Sequence, residues 1–170
     1  GDALVYGFYF EGTPGVMVSR SIVQGVTNRS TSAGILIRTF SGPDSSDTSL
    51  QLNSSILWRN AYGLRSRARA NVAISNSVIE AHGASATGLL IDNPESTITA
   101  DYNNYRMSEG ALIASLSRII SSVDPNNIVM PIEFSTLQAW NLNNGQDSNS
   151  LAHSPGFYAP GQLKYELLSK

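Results

Sequence analysis

Residues 63–70, GLRSRARA, place Arg65, Arg67 and Arg69 at every second position. Period two puts alternate side chains on one face of a strand, so these guanidiniums share a surface. Arginine forks suit bidentate contact with carboxylates, sulfates or phosphates. Glu11, Arg38, Arg67 and Asp92 each stand four residues after a glycine that opens a β-type segment. If those segments stack, the four form one mixed-charge row. Two readings follow: an anionic-sugar contact, or a self-balancing charge ladder on a solvated sheet face. Trp58 and Tyr62 flank the arginine-bearing stretch and have the ring type that stacks on sugars, which favours carbohydrate over protein contact.

Other chemistry is thin. The chain has no cysteine, hence no disulfide framework and no thiolate nucleophile or metal ligand. His82, after Glu80 in VIEAHG, and His153 read as surface hydrogen-bonding residues at turns. No G-x-S-x-G, P-loop, dinucleotide fingerprint or H-E-x-x-H is present. Asp44 and Asp47 offer only a weak calcium signature, so no cofactor is expected. A net charge of −2 over 170 residues argues against a nucleic-acid partner. No apolar run approaches the roughly 20 residues that span a bilayer.

The elements that must position these residues form a repeat. Glycine-led segments begin at Gly7, Gly34, Gly63, Gly88 and Gly110, spaced 27, 29, 25 and 22 apart. A second series begins at Val16, Leu50, Val72 and Ile98, spaced 34, 22 and 26. An insertion within residues 39–48 accounts for the longest gap. Two interleaved series with one period predict a solenoid whose coils stack at about 4.8 Å. The fold class expected is all-β: a right-handed parallel β-helix of about five coils, on the order of 25 Å tall. Phe8/Phe10, Ile35/Ile37, Leu64/Ser66, Leu89/Ile91 and Ala111/Ile113 should point inward, with Val16/Val18, Leu50/Leu52, Val72/Ile74 and Ile98/Ala100. The glycines are expected at corners needing positive φ or close approach. After each second-series strand come SRSIV, NSSIL, SNSVI and DYNNY, whose Ser21, Asn53, Ser55, Asn76, Ser77 and Asn103 should align as a polar ladder. Asn28 and Asn53 also head N-glycosylation sequons; the second is better explained by the repeat.

NSSILWRN (53–60), SNSVIEAHG (75–83), DYNNY (101–105) and the closing block STLQAW…NGQDSNSLAHSPGF (135–157) resemble the pectate-lyase-like parallel β-helix superfamily of secreted, mostly bacterial proteins. The resemblance covers about two-thirds of the chain. It implies an extracellular or cell-surface location. In the lyases of that group a basic residue abstracts a proton beside a carboxylate that acids or calcium neutralise, and the Glu11/Arg38/Arg67/Asp92 face would be the place for such chemistry.

Residues 1–114 are read as coils and 115–170 as a last coil, cap and tail of the same domain. In the cap, Ser135 should N-cap a short helix with Gln138 as capping-box partner. Leu137 and Trp140 should cover the stack, and Asp147, Asn149 and Ser150 should form a turn-rich knot that Pro155 and Phe157 pin. Residues 111–123 fit a helix or a fifth strand equally well. The apolar start, LVYGFYF, has no polar cap before it, so upstream coils or a second subunit are expected there.

Functionally, three readings stand. The first is an extracellular module that binds polysaccharide or mediates adhesion, without clear catalytic machinery. The second is a fragment of a polysaccharide lyase or glycosidase acting on an anionic glycan. The third is a structural solenoid stacking end to end.

Overall fold

The computed structural model describes residues 5–26, 32–38, 47–108, 110–121, 128–152, 157–158 and 166–167. Asn28, Asp44, His153 and Pro155 lie outside these, as does the Phe157 side chain.

Four coils of three strands build a parallel β-solenoid. The first is β1 (Tyr6–Glu11), β2 (Val16–Ser19) and β3 (Ile22–Gln24). The second is β4 (Ala33–Arg38), β5 (Thr48–Asn53) and β6 (Ile56–Asn60). The third is β7 (Tyr62–Ser66), β8 (Ala70–Ser75) and β9 (Val78–Ala81). The fourth is β10 (Thr87–Ile91), β11 (Thr97–Asp101) and β12 (Asn104–Met107). Sheet one runs β1-β4-β7-β10 and is extended by β13 (Leu112–Ser121) and β14 (Ile128–Phe134); β2-β5-β8-β11 and β3-β6-β9-β12 form sheets two and three. β15 (Phe157–Tyr158) and β16 (Glu166–Leu167) make a separate antiparallel pair.

The inward columns fall where alternation places them. Val16, Leu50, Val72 and Ile98 are in register, as are Val18, Leu52, Ile74 and Ala100. With Ile35, Ile37, Leu64, Leu89 and Ile91 they form one continuous core, against which Phe8 and Phe10 pack. Leu36, on the outward parity of sheet one, is buried as well, at 1% exposure.

Each passage from sheet two to sheet three is a two-residue corner. Its first residue is left-handed: Arg20, Ser54, Asn76 and Tyr102 have φ of 50°, 50°, 52° and 57°. Its second residue carries the polar ladder. Ser21 N–H donates to Ser55 Oγ (3.3 Å), Ser55 N–H to Ser77 Oγ (3.2 Å), Ser77 N–H to Asn103 Oδ1 (3.1 Å) and Asn103 N–H to Ser150 Oγ (2.7 Å). Small polar side chains thereby satisfy backbone donors that the bend takes out of the sheets.

The fifth level departs from expectation. Residues 112–121 form a strand, resolving the helix alternative, but Gly110 does not continue the glycine column. Leu112, Ala114 and Leu116 pair with Thr87, Leu89 and Ile91, so Ile113 stands beside Gly88 and the register is shifted by three residues. The column glycines also lack positive φ; close approach is what requires them. β14 then returns antiparallel to β13.

The chain next forms α1 (Leu137–Asn144). Its N-cap is Thr136, whose Oγ1 accepts from Ala139 N–H at 3.1 Å. The helix thus starts one residue later than a Ser135 cap requires, and Gln138 falls out of the capping-box position. Trp140 is fully buried and meets Phe134 edge-on at 5.3 Å. Gly145 ends the helix at φ 63°. Residues 146–151 then lie against the fourth coil: Asp147 N–H donates to Ala100 O, and Leu151 bridges Asn104.

Candidate functional site

The charge row on sheet one assembles as its spacing implies. Glu11 pairs in register with Arg38. Arg67 N–H donates to Ile37 O and Asp92 N–H to Ser66 O, which extends the row past the strand ends. The arginines of the third coil, however, are engaged by neighbouring acids. Arg65 Nε donates to Asp92 Oδ2 at 3.0 Å, and Arg67 Nε approaches the same oxygen at 3.8 Å. Arg65 also lies over Tyr62, 5.1 Å from the ring centroid, and only 12% of its side chain is exposed. Glu11 accepts the Tyr9 hydroxyl, a bond that raises the Tyr9 phenol's pKa. Arg69, just beyond the strand, is held by Asp47 (3.1 Å) and Glu95 (3.6 Å) from the neighbouring coils. Asp47 is therefore an arginine partner. Among the described residues no three His, Asp or Glu side chains gather as a metal site. No helix of the described residues is long and apolar enough to cross a membrane.

This self-pairing has a measurable consequence. Arg67→Ala should change unfolding free energy by less than about 0.5 kcal/mol, because the pair is long and exposed. Asp92→Ala, which strands the more buried Arg65, should cost about 1–2 kcal/mol. Urea denaturation of both variants checks the order.

Trp58 is not on this face. It lies on sheet three, where the residue following each corner pentapeptide points outward. Those residues are Gln24, Trp58, Glu80 and Arg106, one per coil. Gln24 and Trp58 are in register, as are Glu80 and Arg106. Between β6 and β9 the ladder slips after Leu57, so that Trp58 and Arg59 together face Glu80; Arg59 takes φ 53° there. An inserted residue of this kind twists the strand and re-aims side chains.

The result is an open cleft of about 500 Å³ running along the stacking direction. Trp58, Arg59, Glu80, His82 and Arg106 line it, with Gln24 at one end and Ser108 at the other. Arg106 reaches across two coil levels, roughly 10 Å, to place its guanidinium 5.3 Å from the Trp58 ring centroid. On the way it passes Glu80 Oε2 at 3.6 Å, too far for a hydrogen bond. Glu80 is thereby covered, with 7% of its side chain exposed, and Oε2 is buried without a hydrogen-bond partner. Burial pushes the Glu80 carboxyl above the usual carboxylate range, while Arg106, Arg59 and His82 pull it partly back.

Of the residues singled out in sequence, the fold brings Glu11, Arg38, Arg65, Arg67 and Asp92 together with Tyr62 nearby. It carries Trp58 to a different sheet. Sequence reasoning misses Gln24 and Arg106, although a signal stands one residue past each pentapeptide, SRSIV-Q, NSSIL-W, SNSVI-E and DYNNY-R; it misses Arg59 because only the bulge brings that residue to the cleft. No protein-family model, curated protein or solved structure matches the chain.

Proposed function

We propose that this chain is an extracellular polysaccharide-binding module whose cleft on sheet three takes acidic sugar units. The observation that carries the reading is the outward column Gln24–Trp58–Glu80–Arg106, set along the solenoid axis with Arg59 and His82 beside it. A linear polymer laid along that axis meets Gln24, Arg59, His82 and Arg106 on successive coils, with the Trp58 ring and Glu80 buried beneath them. Amide, guanidinium, imidazole and carboxyl groups are the hydrogen-bonding partners that hydroxyl-rich ligands require. Two guanidiniums against one carboxyl leave the cleft net positive, which favours ligands bearing carboxylate or sulfate. The row on sheet one supports this role less, since Asp92 already engages Arg65 and Arg67. The sequence resemblance to secreted β-helix proteins supports the location and the ligand class.

The test is calorimetric titration with carboxylated, sulfated and neutral oligosaccharides. Arg59→Ala and Arg106→Ala should each weaken acidic-ligand binding by about ten- to a hundredfold, the worth of one charge-assisted contact. Arg67→Ala should leave it unchanged. Binding that survives both cleft variants but fails in Arg67→Ala would move the site to sheet one. Unsaturated products, read by absorbance during the same incubations, would instead establish the lyase reading.

A further inference from the structure

We propose that Glu80 sets the charge selectivity of the cleft, its carboxylate competing with an acidic sugar for the Arg106 guanidinium. The inference rests on the binding role proposed above and adds its regulation. Arg106 is the only charged partner within ion-pair distance of Glu80 among the described residues, and its guanidinium is divided between that carboxylate and the Trp58 ring. Neither contact is optimal: the ion pair is 3.6 Å long and Glu80 Oε2 receives no hydrogen bond. An unsatisfied buried acceptor beside a half-exposed guanidinium pulls Arg106 inward without locking it. An incoming carboxylate or sulfate offers Arg106 a bidentate, well-solvated alternative. It must displace the guanidinium from Glu80 and leaves that carboxylate facing a second negative charge.

Neutralising Glu80 removes both obstacles. The charged or titratable groups that face it are Arg106 from β12, Arg59 from β6 and His82 just past β9; β3 contributes the uncharged Gln24. Because burial holds the Glu80 carboxyl above the usual carboxylate range, it takes its proton while a sugar sulfate is still fully ionised. Falling pH therefore neutralises Glu80, and that change favours an anion.

Affinity for a sulfated oligosaccharide, whose charge does not titrate in this range, should be measured from pH 8 to pH 4 in the wild type, Glu80→Gln, His82→Gln and the double variant. In the wild type it should rise on the order of tenfold as pH falls. In the His82→Gln background, adding Glu80→Gln should give at pH 8 about the affinity that His82→Gln alone reaches at pH 4, and the double variant should be flat. A neutral oligosaccharide should show no such dependence. If Glu80→Gln binds the sulfated ligand with the wild-type affinity and pH profile, the competition does not exist, whatever the cleft binds. If none of the four binds any acidic ligand at any pH, the binding role itself falls. The thermal melt of each variant separates a folding defect from either result.

Discussion

Asp147→Ala is expected to destabilise the protein by about 3–5 kcal/mol, the usual cost of removing one partner from a buried charged network. The carboxylate is 2% exposed and gathers donors from three parts of the chain. Oδ1 accepts from Asn103 Nδ2 at 3.0 Å and from the Ser150 hydroxyl. Oδ2 accepts from Trp140 Nε1 at 2.7 Å and from the Tyr105 hydroxyl at 2.9 Å. Burial first, and then the Asp147 charge, hold the Tyr105 phenol well above its ordinary pKa, so it stays a donor at any working pH. Truncation would strand all four donors in an apolar environment. Alanine also tolerates φ 58° poorly, adding about 1 kcal/mol. Asp147→Asn separates these causes, because asparagine accepts the left-handed backbone but turns an amide N–H₂ toward two donors. It should lose most of the stability that Asp147→Ala loses. At about 2–4 °C per kcal/mol for a domain of this size, the melting temperature should fall by roughly 10 °C. Trp140 emission should shift red before global unfolding as the cap lifts. A loss under about 1 kcal/mol would show that α1 is held by its packing on Phe134 and not by the carboxylate.

That carboxylate also shows what the sequence discloses about this fold and what it conceals. D-x-N-S reads as a turn-rich knot from residue types alone, and the knot is there. Its partners Asn103, Tyr105 and Trp140 are brought together by the stacking of the fourth coil under the cap, which no local pattern encodes. The Ser21–Ser55–Ser77–Asn103 ladder was legible because it recurs at the repeat period, and it continues to Ser150 only because the cap supplies a fifth rung. The charge row on sheet one was legible for the same reason. Its self-neutralisation was not, since Asp92 engages two arginines through side-chain geometry that spacing does not fix. Trp58 flanks the arginine strand in sequence but stands on another sheet, because the single residue Ala61 between β6 and β7 carries the chain from sheet three to sheet one. Residues 111–123 carry apolar side chains at a spacing that suits either element; pairing of Leu112–Ser121 with β10 and β14 decides for strand there.

Gly63→Ala is the second substitution with a large expected effect, and it tests why the repeat begins on glycine. Gly7, Gly34, Gly63 and Gly88 stack directly on one another in sheet one. A methyl group at Gly63 would sit 2.6 Å from Gly88 O and 2.9 Å from Ile79 Cγ2. Gly34 and Gly7 would meet the carbonyl of the next coil at 2.8 and 2.7 Å. The nearest obstacle at Gly63 is backbone, which cannot rotate aside as a side chain can, so coil three must move away from coil four. That movement opens the ladder bonds of β7 and β10 and loosens Leu64 against Leu89. The cost should be about 2–4 kcal/mol, at or above the upper range for overpacking. Gly15→Ala is the contrasting variant. Its φ of 70° strains alanine, but nothing lies within 4 Å of the added methyl, so about 1 kcal/mol is expected. The fifth level supports the same cause. Ile113 occupies the next place in the column without strain, because no parallel coil follows and β14 begins its pairing only at Ala114. Glycine is therefore required where another coil stacks on the column, and dispensable where stacking ends. Equal losses for Gly63→Ala and Gly15→Ala in urea denaturation would show that the coils yield to the methyl and that close approach does not require the glycine column.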